Sequence, residues 1–99
     1  MKIRRTKTFD KTFLKLPAQV QQKTEKAVKL LLLDFYHPSL HTKKMIGQKD
    51  IWEARVDYHY RFTFTLDHDM IILRVVGNHE DVLRNPCELA ITNSRRSIL

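Results

Sequence analysis

The hydrophobic period of this chain changes once, and that change dictates the class of fold. Apolar residues recur at helical spacing up to about residue 35 and alternate after residue 50. Phe9, Phe13, Leu14 and Leu16 recur at about one turn. Pro17 closes this first helix and suits the first turn of another. From Ala18 to about Phe35, Val20, Thr24, Ala27, Val28 and Leu31 form a stripe, with Gln21, Gln22, Lys23, Glu25, Lys26 and Lys29 mostly off it. This predicts a helical hairpin hinged at Leu16-Pro17. His37-Pro38 disfavours further helix and ends the run.

The second half reads as strands. Trp52, Ala54 and Val56 alternate with Glu53, Arg55 and Asp57. Tyr60, Phe62, Phe64 and Leu66 then alternate with Arg61, Thr63 and Thr65. Asp67-His68-Asp69 is a hairpin turn. Met70 to Val76 has the nearly continuous, β-branched composition of a central strand, which Gly77-Asn78 is expected to break. Residues 79–85 read as a turn or short helix, and residues 2–8 as a short edge strand. Helices grouped before a meander indicate an α+β domain: an N-terminal edge strand and a helical hairpin packed on one face of an antiparallel sheet. The other face, bearing Glu53, Arg55, Asp57, Arg61, Thr63 and Thr65, is then polar and free to meet a partner.

With 99 residues, one domain over 1–86 is expected, followed by a loose polar tail over 87–99. Hydrophobic residues at 42% exclude wholesale disorder. No apolar run approaches the roughly 20 residues of a membrane span, and MKIRRTKTFD lacks the apolar stretch of a secretory signal. The expected location is cytoplasmic, with no membrane partner. The one cysteine, Cys87, cannot form an internal disulfide or a cysteine metal cluster.

The net charge is +7 and unevenly spread. Residues 1–50 hold 12 basic and 4 acidic side chains (+8), residues 51–99 hold 6 and 7 (−1), and every lysine precedes residue 50. A surface of this kind concentrates polyanions, so RNA, DNA or an acidic protein is the expected partner.

Few residues offer chemistry. Arg61, in mid-strand, presents a rigid planar fork suited to phosphate; its plainer role is a cross-strand ion pair with Glu53 or Asp57. Arg55 shares its face by parity, and two neighbouring arginines repel unless an anion or those carboxylates intervene. His79, at the mouth of the sheet, is a residue type that gives or takes a proton near neutral pH; its plainer role is a solvated loop residue. Lys43, Lys44 and Lys49 flank Gly47 and would track a nucleic-acid backbone by charge or simply form a solvated basic loop. Trp52 reads as core. His37, His41, His59 and His68 show no metal-ligand spacing, and two glycines in the whole chain leave no phosphate loop.

The segments FDKTFLKLP from Phe9, HPSL from His37, KKMIG from Lys43, DIWEARV from Asp50, Tyr60-Arg61-Phe62 and Val76-Gly77-Asn78-His79, in this order and spacing, resemble the RelE/ParE superfamily of bacterial toxins. The resemblance spans residue 2 to Pro86 and implies a helical hairpin on a sheet, and the toxin half of a type II toxin–antitoxin pair. It implies one of two activities: a metal-free, cofactor-free mRNA endoribonuclease working on the ribosome, or a DNA gyrase inhibitor. A catalytically inactive relative that binds its antitoxin is a third reading. The ribonuclease pattern matches at Arg61 and, in the histidine-bearing subset, at His79. Carried over, it makes Arg61 and His79 catalytic and Arg55 a basic residue for the RNA, while no acidic residue before the sheet matches the general base of some members; Lys43 and Lys44 would bind the RNA backbone by charge, and Glu53 is a possible general base. Glu53 stands where some relatives have lysine, and Asp81 to Asn85 lacks the tyrosine that some carry there.

Overall fold

The structure, a computed structural model, describes residues 1–47 and 50–84. Lys49, Cys87 and the tail expected over 87–99 lie outside the described residues. The chain runs β1 (Lys2–Arg5), α1 (Lys7–Leu14), α2 (Ala18–Leu33), a 3-10 turn (Pro38–Leu40), β2 (Lys43–Lys44), β3 (Trp52–Arg55), β4 (Tyr60–Asp67), β5 (Met70–Asn78) and α3 (His79–Arg84). The strands form one five-stranded sheet in the order β1-β5-β4-β3-β2.

The helical hairpin forms as its spacing predicts. Thr6 caps α1, its Oγ1 accepting from the Phe9 amide at 3.1 Å and donating to the Leu73 carbonyl at 2.9 Å. One side chain thus starts the helix and ties it to β5. Pro17 caps α2 without a side-chain hydrogen bond. Val20, Thr24, Ala27 and Leu31 are buried on its inner stripe. Val20, Ala27 and Leu31 join Phe9, Leu16, Leu40, Ala54, Phe62, Phe64, Ile71, Leu73 and Val76 in one core. Burial of each phenylalanine from β4 contributes about 2–3 kcal/mol, so this layer dominates the stability.

Three expectations are corrected. The sheet is mixed, because β1 pairs with β5 in parallel (Ile3 opposite Ile71, Arg5 opposite Leu73). Alternation within a strand identifies its buried face but not the direction of its neighbour. The break at Gly77-Asn78 does not occur, and β5 continues to Asn78 against Tyr60. Gly77 lacks a positive φ, and a Cβ there would meet Val82 Cγ2 at an ordinary 3.8 Å, so nothing local stops the strand. Lys43-Lys44, read as a loop, form the short edge strand β2.

β5 also carries a bulge that its apolar composition concealed. Thr63 pairs with Val75 but Phe64 pairs with Leu73, leaving Arg74 as the extra residue. Leu73 and Val76 thereby both join the core although three residues apart. The Val76 amide donates to Thr12 Oγ1 of α1 at 3.1 Å, which seats that helix on the irregular strand.

Candidate nucleic-acid interface

The side of the sheet expected to be open is partly closed. Glu53 and Thr63 are buried there, as is Val75 opposite Thr63, and Val82 of α3 stands beside Gly77. The polar residues therefore form a partly covered, charged floor rather than a flat exposed surface.

Glu53 organises that floor. Its side chain is 5% exposed, and its Oε1 lies 3.8 Å from Arg61 Nε and 3.7 Å from Lys43 Nζ. β2 pairs with β3 so that Lys43 is opposite Glu53 and Lys44 opposite Trp52. Neighbouring residues of a strand point to opposite faces. Lys43 accordingly reaches Arg61's carboxylate partner, while the Lys44 ammonium sits 5.8 Å from the Trp52 ring centroid. The two lysines assigned to one role are placed apart. Trp52 is half-buried in an aromatic cluster with Phe35, Tyr36 and Phe64.

Arg61 is held from two sides. Besides Glu53, its Nη1 donates to the Asp57 carbonyl at 3.3 Å, and its side chain is only 14% exposed. Asp57 was expected to face Arg61 as a charge partner, by extension of the β3 alternation. The strand ends at Arg55 instead, and Asp57 turns the chain. Its Oδ1 accepts from the amides of His59 at 2.9 Å and Tyr60 at 3.0 Å, and its Oδ2 accepts from Lys23 Nζ of α2 at 3.3 Å. Burial acts to raise the Asp57 pKa, but these hydrogen bonds and the Lys23 charge outweigh it and hold the carboxyl below its ordinary value. One aspartate thus builds the turn that delivers Arg61 and pins that turn to the helical layer.

Arg55 lies directly opposite Arg61 across β3 and β4, and Arg61 lies opposite Gly77 across β4 and β5. The His79 amide continues this ladder by donating to the His59 carbonyl at 2.8 Å. His79, the first residue of α3, is thus held two residues beyond Gly77, the partner of Arg61. Nothing in the sequence links His59 to His79; the register alone does.

The three buried side-chain nitrogen or oxygen atoms without a hydrogen-bond partner among the described residues are Thr42 Oγ1, Arg55 Nε and His79 Nδ1. An unsatisfied buried polar group costs about 1–3 kcal/mol, and such groups call for a reason beyond packing. Two of the three belong to residues that the register sets near Arg61, Arg55 across β3 and His79 beyond Gly77. The arrangement can present a fixed guanidinium, a second cation and an imidazole along one anionic backbone. Among the described residues no three His, Cys, Asp or Glu side chains gather as metal ligands, and no helix is long and apolar enough to cross a membrane.

No protein-family model matches the chain, and no curated protein does. Solved structures do match. The RelB-RelE antitoxin-toxin complex from Methanococcus jannaschii superposes with a TM-score of 0.67 at 20% identity, over 82% of this chain and 95% of that one. A YoeB/ParE toxin from Agrobacterium tumefaciens gives 0.68 at 13% identity, over 80% and 99%. YafQ from E. coli strain BL21(DE3) gives 0.65 at 17% identity, over 81% and 94%. The mixed sheet, the hairpin laid across it and near-complete coverage of each of these chains together establish that the protein has the fold of the RelE-type toxins of toxin–antitoxin pairs.

Proposed function

We propose that the protein is the toxin of a type II toxin–antitoxin pair and cleaves mRNA endonucleolytically, on the ribosome in the cytoplasm, with a cognate antitoxin as its protein partner. The observation that carries this reading is the pair of unsatisfied buried nitrogens, on Arg55 and His79, residues that the register sets near Arg61 within this fold. A buried cation and an imidazole left without partners suit an RNA backbone whose successive phosphates reach both.

In this mechanism the ribose 2′-oxygen attacks the adjacent phosphorus as the P–O5′ bond breaks. The 2′-hydroxyl proton passes to a base, for which Glu53 is the nearest carboxylate to Arg61, and the departing 5′-oxygen takes a proton from His79. The products are a 2′,3′-cyclic phosphate and a 5′-hydroxyl. Arg61 neutralises charge on the phosphorane-like transition state; a preorganised donor in this role is worth about 3–4 kcal/mol. General acid catalysis by His79 adds about 10²- to 10⁴-fold. Arg55 and Lys43 hold the backbone, and Lys44 adds charge from the neighbouring face. The requirement for a 2′-hydroxyl selects RNA over DNA.

The test is end-mapping of mRNA incubated with the protein, with and without translating ribosomes, beside a gyrase supercoiling assay. Cleavage that is lost in both Arg61→Ala and His79→Ala supports the reading. Intact mRNA together with blocked supercoiling would replace it with the gyrase reading, and inertness in both assays with an antitoxin still bound would leave a silent relative.

A further inference from the structure

A second cationic feature adjoins Arg55 but lies outside the assigned site. Where β3 ends beside α2 and the 3-10 turn, a cleft of about 200 Å³ is lined by Lys23, Lys26, Ser39 and Arg55 over an apolar base that includes Ala27 and Leu40. Lys23 is engaged by Asp57. Arg55 Nε is buried without a partner, and among the described residues no carboxylate is ion-paired with Arg55 or with Lys26. With Asp57 counted, the cleft carries three cations against one carboxylate. Ser39 Oγ lies 2.9 Å from His37 Nδ1, so its hydroxyl is held at the rim by the cap of the 3-10 turn.

We propose that this cleft binds a non-scissile phosphate of the RNA backbone, with Arg55 and Lys26 as its ligands. The inference rests on the ribonuclease reading and names a subsite for its substrate. Arg55 ends β3 directly across from Arg61, so a strand whose reacting phosphate meets Arg61 and rounds the end of β3 reaches the cleft with a neighbouring one. Among the described residues no carboxylate pairs with Arg55 or Lys26, so the balancing anion comes from outside, and a phosphate presents oxygens to both at once. The subsite also explains a cost in the free protein: the buried Nε remains unsatisfied until a ligand arrives.

The experiment uses the full chain and a short RNA carrying a 2′-deoxy substitution at the mapped cut site, so that it binds without reacting. The Arg55 Nε–Hε resonance, assigned from its loss in Arg55→Lys, is followed by ¹⁵N NMR while this RNA, inorganic phosphate or a glutamate-rich peptide is added. RNA and phosphate should shift it saturably, and the peptide should not. Lys26→Gln should weaken RNA binding roughly fivefold and lower the salt slope by about 0.7, as loss of one phosphate contact to a single strand does. It should raise KM and leave kcat unchanged. Lys29→Gln, equal in charge but lining a different cavity beside Phe13 and Val28, should do neither. An unmoved Arg55 resonance, a larger response to the peptide, or equal weakening by both lysine variants would overturn the subsite. If the wild-type protein cuts no RNA yet an unmodified RNA shifts the resonance and Lys26→Gln still binds it more weakly than Lys29→Gln, the subsite stands and the ribonuclease reading falls. If RNA is cut and Lys26→Gln matches Lys29→Gln, the subsite alone falls.

Discussion

The two faces of β4 are built on opposite terms. On one, Phe62 and Phe64 are fully buried against the helical hairpin, in contact with further aromatic and aliphatic side chains. On the other, Arg61 and Thr63 face Glu53, Arg55 and Gly77 across the neighbouring strands. The first face is satisfied as it stands. The second places two arginines opposite each other with one buried carboxylate near them, and it leaves buried nitrogens on either side without partners. A face that is complete by itself serves stability, whereas one that is electrostatically incomplete is suited to completion by a ligand.

The sharpest way to separate the faces is to remove one ring and one guanidinium. Phe62→Ala should lower unfolding free energy by about 3–5 kcal/mol, read from urea melts, through lost transfer energy and the cavity left behind. Cleavage by the fraction that remains folded should persist. Arg61→Ala should reverse that profile, with cleavage falling about 10²- to 10³-fold in single-turnover assays. Its stability loss should be about 1–3 kcal/mol, because Glu53 is left with Lys43 alone. Adding Glu53→Gln to Arg61→Ala should recover part of that loss, since the uncompensated carboxylate is its cause. If Arg61→Ala proves as destabilising as Phe62→Ala and Glu53→Gln recovers nothing, the two faces do not differ as described.

A smaller effect is expected at the rim. His79→Gln should cut the rate about 100-fold while shifting the urea midpoint little, because the Nδ1 it removes makes no hydrogen bond in the fold. Smallest is Asp57→Asn, whose amide oxygen can still accept the two turn amides but no longer carries the charge for Lys23. It should cost about 1 kcal/mol at neutral pH. Asp57 has a folded pKa below its ordinary 3.8. Its stabilisation is thus fully present above the unfolded value and lost as pH falls through the folded one. The wild-type advantage over Asp57→Asn should therefore hold above about pH 4, shrink as pH falls below that and vanish below the folded pKa, and a gap that stays constant down to pH 2 would assign the effect to packing.

How far each part could be read from residue order follows from the same contrast. The stripe Val20, Thr24, Ala27 and Leu31 and the alternation of Phe62 with Arg61 were legible, because burial imposes a period on a chain. The parallel pairing of β1 and the bulge at Arg74 were not, since both depend on which strand lies alongside. Gly77-Asn78 looked like a stop and is strand, because pairing with β4 outweighs weak local propensity. At the candidate site, Arg61 and Glu53 stood out by parity. The turn role of Asp57, the separation of Lys43 from Lys44 and the anchoring of His79 by the His59 carbonyl arise only from register. The cleft beside Arg55 was hidden because Lys23 and Lys26 read as an ordinary solvated helix face until the 3-10 turn is set against them.

The most direct measurement places a single 2′-deoxynucleotide at the mapped cut site of an otherwise unchanged mRNA and follows cleavage there by the wild-type protein. The account predicts that the all-ribose RNA is cut to a 2′,3′-cyclic phosphate and a 5′-hydroxyl, and that the 2′-deoxy substitution abolishes the cut while the RNA still binds. Continued cutting of the 2′-deoxy RNA, or product ends carrying a 5′-phosphate, would contradict the chemistry assigned to Arg61 and His79.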